Sequence, residues 1–376
     1  MGDLAERPHV SIVTSGHDVA DARLHREAAA LQRAGLRVEV LGLGAASSGP
    51  PGATTRTWPR RGALRRAWYA LTLPLRTSGD VVVALDPDSA AGARVAQRLR
   101  RVVGRRTALV TDVHEDYELL LKDRAWASGL RGGGAAISAR LGSRAARRAD
   151  LLVVADDHLM PDAAHRLVVR NLADTSMLPA PTPPGATPRA VYIGDLRRSR
   201  GLFAMLDAIE AAGGWELDLV GPIAPADREE FLERLASPEL SGVVRWHGRQ
   251  PPREAWTFAS GAWVGFLMLD ATPAFRDAIP SKLYEYLACG LAVIATDLPR
   301  SAAVVRETRA GVVVADTGQA AQALRAWAAD PAELERLRTA ALAAADSYVA
   351  GEDLASFADA VARLVPQPAA SADAGA

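Results

Sequence analysis

Two carboxylates, Asp277 and Glu285, flank a proline, a serine and a lysine in the segment RDAIPSKLYEYLACGLAVIATD, residues 276–297. Pro280 suits the first turn of a helix, because its ring presets φ and its missing N–H would be unpaired there anyway. The N–H groups of Ser281 and Lys282 then point out of a positive helix end, which attracts phosphate, and Lys282 adds a mobile charge at that end. A carboxylate accepting from vicinal hydroxyls is a common way to hold ribose or hexose, so Asp277 and Glu285 fit the two ends of one phosphorylated, polyhydroxylated ligand. Leu283, Tyr284 and Leu287 recur at helical spacing, Gly290 fits a C-terminal stop, and residues 291–295 read as a short buried strand.

The rest of the chain supplies the elements that must hold such a segment. Strand signals at 10–14, 38–43, 81–85, 108–113, 151–155 and 167–169 alternate with helix signals over 20–34 and 90–99. The proline-rich stretch 179–188 reads as an interdomain linker. A second series follows, with strands at 190–193, 217–220, 243–246 and 264–269 and a helix over 202–212. Residues 340–364 look helical with an interruption near Gly351, and the Ala-, Ser- and Pro-rich tail after Pro366 reads as disordered. The pattern predicts an α/β protein with two parallel sheets that bind ligands at the strand C-terminal ends. The expected domains are 1–178 and 179–349, then a helix over about 350–365 and a tail, 366–376.

Composition bounds the function. At 376 residues, 49% apolar and 23% charged, the chain is long enough for two ordinary domains. No apolar run reaches the roughly 18 residues needed to cross a bilayer, and the first ten residues are polar rather than a leader, so a cytoplasmic protein is expected. The single cysteine, Cys289, excludes internal disulfides and reads as a small core residue. Lysine occurs only at Lys122 and Lys282 against abundant arginine, which points to a GC-rich bacterial source. The net charge of zero conceals an asymmetry: residues 1–172 hold 26 basic and 18 acidic side chains, residues 173–376 hold 18 and 26. Basic stretches lie at 56–66 with Trp58 and Trp68 nearby, at 98–106 and at 140–148. They read as solvated helix faces, as a peripheral contact with an anionic membrane, or as a seat for a phosphorylated acceptor. No recognition motif for nucleic acid accompanies them.

Other strand-end turns carry chemistry. Between a strand and a helix lies 194–201, GDLRRSRG, where Gly194 permits close backbone approach and a cation further on neutralises a diphosphate. Gly16, His17 and Asp18, with Asp21 behind them, occupy the first such turn. Asp86-Pro87-Asp88 follows another strand; an Asp-x-Asp pair can hold a divalent cation, but two carboxylates alone are a common accident. Asn171 is expected to close the first domain.

Segment 276–297 closely resembles the donor motif of retaining glycosyltransferases of family 4. In that family an acidic residue, seven intervening residues and a glutamate precede a small-residue turn, as Ala288-Cys289-Gly290 does here. The resemblance implies the GT-B fold: two Rossmann-like parallel-sheet domains facing a cleft, with the C-terminal helix crossing back to the first domain. It implies a metal-independent hexosyl transfer from a nucleoside diphosphate sugar to a hydroxyl acceptor on a polysaccharide, glycolipid or natural product, with no cofactor and with retained configuration. It assigns Glu285 to the ribose, Asp277 to the hexose, Arg200 and Lys282 to the diphosphate, and Gly194, Ser281 and Leu283 to the same donor site. His114, in the strand-end segment 111–117, matches a histidine close to the transferred sugar. Glu115 and Asp116, with Gly16, His17 and Asp18, are assigned to the acceptor or the cleft. The chain departs from the family in having Asp277 where glutamate is usual and Asp195 where arginine is usual. Arg197 and Arg198 are expected to be solvated. A nucleotide-sugar 2-epimerase on the same fold, or a noncatalytic sugar-nucleotide binding protein, would share these features.

Overall fold

The computed structural model describes residues 7–60, 62–114 and 129–366. Glu115, Asp116 and the tail from residue 367 lie outside these. Seven strands form the first sheet: β1 (Val10–Asp18), β2 (Val38–Leu43), β3 (Thr54–Trp58), β4 (Val81–Ala84), β5 (Ala108–Val113), β6 (Leu151–Val154) and β7 (Arg166–Val168). Six form the second: β8 (Arg189–Ile193), β9 (Glu216–Val220), β10 (Val244–Trp246), β11 (Val264–Leu267), β12 (Ala292–Thr296) and β13 (Gly311–Val314). Their orders are β3-β2-β1-β4-β5-β6-β7 and β10-β9-β8-β11-β12-β13, with every pairing parallel.

Each sheet reverses its winding direction once, between β1 and β4 in the first and between β8 and β11 in the second. At such a point the loops leaving the strand C-termini diverge and open a crevice, which is where doubly wound sheets take ligands. The central strands are short and continuously apolar because helices cover both faces. Val81–Ala84 and Val264–Leu267 are buried throughout. The second core centres on Tyr192, Leu217, Phe266 and Ile294, and Trp215 meets Trp263 edge to face at 5.6 Å.

The chain divides into two units, the described residues through Arg170 together with those from Glu352 onward, and 171–351. Asn171 therefore opens the second unit rather than closing the first. Residues 179–188 are built into the second unit rather than spanning between units. A proline-rich stretch cannot donate to a sheet, but its other polar groups can serve as partners. The Thr182 carbonyl accepts from Arg338 at 2.6 Å and its hydroxyl from the Gly261 N–H at 2.7 Å. Gly185 donates to the Gly261 carbonyl and accepts from Trp263 Nε1, both at 2.8 Å. The helix Gly351–Ala362 belongs almost wholly to the first unit, where Asp353 accepts three bonds of 2.9 Å from Arg170.

Two edge strands escape the sequence pattern. β3 has half-exposed, Thr-rich character with Arg56 at its centre, and β13 begins on Gly311. No described helix is long and apolar enough to cross a membrane.

Candidate functional site

The crevice beside β8 and β11 is lined by the residues of the opening motif. Leaving β8, the chain runs through Gly194 (φ 142°) to Gly201 (φ 79°) before the helix Leu202–Ala212 begins. A Cβ at Gly201 would sit 2.0 Å from the Met268 carbonyl oxygen, so neither the left-handed backbone nor the close approach admits a side chain. The same loop is tied down by the Asp270 N–H, which donates to Ser199 at 2.9 Å, and by a bridge between the buried Leu196 and Ile223.

The chain leaving β11 ends in the helix Ser281–Ala288. Pro280 stands one residue outside it, as the N-cap with φ −66° and ψ 137°, rather than in its first turn. A proline there cannot cap with a side chain, and the Ser281 and Lys282 N–H groups have no protein partner among the described residues. The helix stops on Gly290 (φ 68°), whose N–H donates to Leu287 at 2.9 Å while Leu291 N–H donates to Tyr286 at 2.9 Å, the paired bonds of a Schellman motif. Tyr286 packs flat on Gly265 of β11; a Cβ there would approach its ring to 2.5 Å. Leu283 is fully buried and its N–H donates to Pro280 at 3.1 Å, so its side chain belongs to the core rather than to a donor surface.

Lys282 is the outstanding residue. Its side chain is buried, not mobile, with Nζ 3.8 Å from the Tyr192 ring centroid and no hydrogen-bond partner among the described residues. Nζ also lies beside Gly194, where a Cβ would come within 2.6 Å. Burial and the neighbouring Arg200 push its pKa well below the usual lysine range, against the pull of Asp195 and Glu285. Arg200 lies over the Phe275 ring at 5.6 Å. Tyr192, raised to about 12 chiefly by burial, keeps its proton and donates to the Asp195 carbonyl at 3.0 Å.

Asp195 replaces a cation in the family pattern but gathers cations around itself. Arg197 lies 3.0 Å and Arg249 3.9 Å from its carboxylate. Burial alone would raise its pKa; Arg200, Arg197, Arg249 and Lys282 outweigh it and hold Asp195 below the usual range. Arg197 is thus part of the cluster rather than simply solvated. Arg198 is exposed as expected, paired with Glu230 and stacked over Phe203 at 4.3 Å. Four basic side chains therefore act on Asp195, and Lys282 is drawn toward Glu285 as well.

The acidic pair divides between two environments. Glu285 is buried one helical turn behind Ser281, whose hydroxyl donates to it at 3.2 Å. Asp277 is exposed at the end of the short helix Pro273–Arg276, with its carbonyl accepting from Arg300 at 2.7 Å.

In the first unit, β1 does not turn after Thr14 but continues to Asp18, and the next helix, Ala22–Arg33, starts two residues later than the pattern at 20–34 suggests. The cause is Asp86, a buried carboxylate that accepts from the Thr14 hydroxyl at 2.7 Å, Ser15 N–H at 2.9 Å and Gly16 N–H at 3.2 Å, and so holds that backbone extended. It also takes Ser89 N–H at 2.8 Å. Asp88 pairs with Arg66 at 2.8 Å and accepts from Ser138. Both members of the Asp-x-Asp pair are thus engaged by protein groups.

His17 and His114 meet edge to face at 5.1 Å. Each has an aspartate behind it: Asp21 lies 3.4 Å from His17 Nδ1, and Asp112 lies 3.6 Å from His114 Nδ1. Asp21 also caps its helix, accepting from Arg23 and Leu24 N–H. Asp112 is gripped by Arg23 through two bonds of 2.5 and 2.6 Å. Burial and the adjacent Asp112 push Glu27 well above the carboxylate range, while Arg23 opposes this. Arg23 and Glu27 were not anticipated; their only signal is a charged i, i+4 pair on the buried face of a helix. Asp18 turns its carboxylate to the Ala20 N–H at 3.1 Å and against Gly44.

Residues 178–343 match the family model described as Glycosyl transferases group 1. No curated protein sequence matches the chain. Among solved structures, sucrose-phosphate synthase from Thermosynechococcus elongatus is similar over 95% of this chain and 98% of that one, with 16% identity and a TM-score of 0.70. HepE from Anabaena in complex with UDP-glucose is similar over 94% and 99%, with 14% identity and a TM-score of 0.67. WaaG, a glycosyltransferase involved in lipopolysaccharide biosynthesis, is similar over 95% and 99%, with 15% identity and a TM-score of 0.62.

Proposed function

We propose that this chain, whose fold is that of GT-B glycosyltransferases and whose residues 178–343 match the Glycosyl transferases group 1 model, is a glycosyltransferase that moves a hexose from a nucleoside diphosphate sugar to an acceptor hydroxyl with retention. The carrying observation is Lys282, whose Nζ is buried without a hydrogen-bond partner among the described residues, beside Gly194 and the open start of a helix. A buried unpaired charge is costly, and a diphosphate supplies the missing acceptors. Glu285 accepts from the ribose hydroxyls and Asp277 from the hexose. His17 and His114 serve hydroxyls of the acceptor.

As the bond from the anomeric carbon to the leaving phosphate breaks, negative charge grows on the diphosphate and is met by Lys282, Arg200 and the Ser281 and Lys282 N–H groups. The acceptor oxygen bonds the same carbon from the same face, and its proton passes to the leaving phosphate oxygen. With that charge met by side chains and a helix start, transfer proceeds without a divalent ion and survives a chelator. The similar HepE structure is a complex with UDP-glucose, which makes UDP the first nucleotide to test beside GDP, ADP and TDP. The matching nucleotide raises Tm, and Glu285→Ala, folded by circular dichroism, loses both that shift and transfer. Near-normal turnover by Glu285→Ala, or epimer formation from donor alone, overturns the reading.

A further inference from the structure

Three helices of the first unit, Ala63–Thr72, Pro87–Val102 and Gly129–Ala146, follow β3, β4 and β5 and pack side by side in that order. Right-handed crossovers place helices that lead the chain one way along a sheet on the same face of it. Their outer surface is apolar to an unusual degree. On the first helix and the turn after it, Leu64, Trp68, Leu71 and Leu75 recur at helical spacing and are 49 to 90% exposed. Val95, Leu99 and Val102 continue the surface on the second helix, Ile137 and Leu141 on the third. Of the twelve large hydrophobic side chains exposed among the described residues, ten lie on these helices or the turns that end them, so the apolar surface is concentrated rather than scattered.

The charge on this layer has one sign. Residues 51–79, 89–111 and 129–149 contain no aspartate or glutamate. The one acid on the three helices, Asp88, is already held by Arg66 and Ser138. Arg65 and Arg76 flank the first stripe, Arg98 and Arg101 the second, and Arg140 and Arg144 the third, all exposed.

We propose that this face docks on an anionic phospholipid bilayer, with the leucine, valine and tryptophan side chains entering the headgroup boundary and the arginines meeting lipid phosphates. Charge complementarity selects this occupant. Two copies of the face would oppose like charges, and a nucleic acid would leave the exposed leucines and valines without a partner. The proposal does not rest on the sugar-transfer reading.

Sedimentation of the full chain with vesicles tests it. The protein pellets with phosphatidylcholine–phosphatidylglycerol vesicles at low salt, not with phosphatidylcholine alone, and less as salt shortens the screening length. The triple variant Leu64→Ser, Trp68→Ser, Leu71→Ser changes only exposed side chains, so its Tm is kept while binding falls at least about tenfold. Arg98→Glu with Arg101→Glu gives a similar loss by the charge route. Failure of the wild type to bind anionic vesicles overturns the proposal. Retention of binding by the triple variant, or a dimer in solution that the triple variant disperses, also overturns it.

Discussion

The crevice beside β1 and the crevice beside β8 occupy the same place in two sheets that share the order of six strands, the first adding β7 at its edge, yet their polar groups are settled in opposite ways. In the first, the buried carboxylate of Asp86 takes donors from Thr14, Ser15, Gly16 and Ser89, so the loop is fixed before any ligand arrives. In the second, the buried Nζ of Lys282 lies against the Tyr192 ring with no hydrogen-bond partner among the described residues. Asp86 spends its bonding capacity on the fold, while Lys282 keeps its capacity for something that is not protein. Topology alone nominates both crevices; the difference in satisfied bonds marks the second as the candidate donor site, while the first offers the proposed acceptor a loop that is already fixed.

The largest expected break comes from Lys282→Met, which lowers transfer by roughly 1,000-fold, the scale of losing a charge-stabilising donor. The same change raises the Tm of the empty protein. The lysine's folded pKa is depressed, so its contribution to stability is present above the unfolded value of about 10.4 and is lost as pH falls through the folded value. At neutral pH the empty unit carries that cost, and methionine removes it. A lower Tm for Lys282→Met would erase the contrast.

Asp86→Ala probes the other crevice. It destabilises the first unit by about 3 kcal/mol in a urea titration, because several buried donors lose their acceptor together, while the nucleotide-induced Tm shift of the second unit persists. Burial opposes ionisation of Asp86, but Arg66, His17 and hydrogen bonds to Ser89 and Thr14 hold its pKa below the usual range. That contribution is present above about pH 3.9 and is lost as pH falls through the folded value. Asp86→Asn should flatten this acid-side slope.

Gly201→Ala has the smallest effect, a loss of about 2 kcal/mol from a left-handed backbone pressed against the Met268 carbonyl. Its donor KM should rise more than its kcat falls, since the loop is displaced rather than stripped of charge.

The alternation of buried strands and helices was legible because both sheets are covered on two sides, so central strands read as apolar runs. β3 was not, because an edge strand with Thr54, Thr55 and Arg56 carries little of that signal. The loop 194–201 and the segment 276–297 announced themselves through glycine, proline and charge. What the sequence withheld was environment. Lys282 reads as a mobile cation at a helix start, and only the Tyr192 ring and the Gly194 backbone pressed around it show it buried. Arg23 and Glu27 are equally silent, since an ordinary helix surface carries the same pair, and it takes Asp112 on a distant strand to make them a cluster.

The loosely held proton of Lys282 has a calorimetric consequence. If an arriving diphosphate steadies the ammonium as proposed, binding near or above the depressed empty-site pKa draws hydrogen ions from the buffer. The observed heat then differs between buffers of unequal ionisation enthalpy, and affinity declines as pH rises through the empty-site pKa. Replacing Lys282 with methionine removes both signatures, which makes the number of protons taken up a direct count of what that one side chain does on binding.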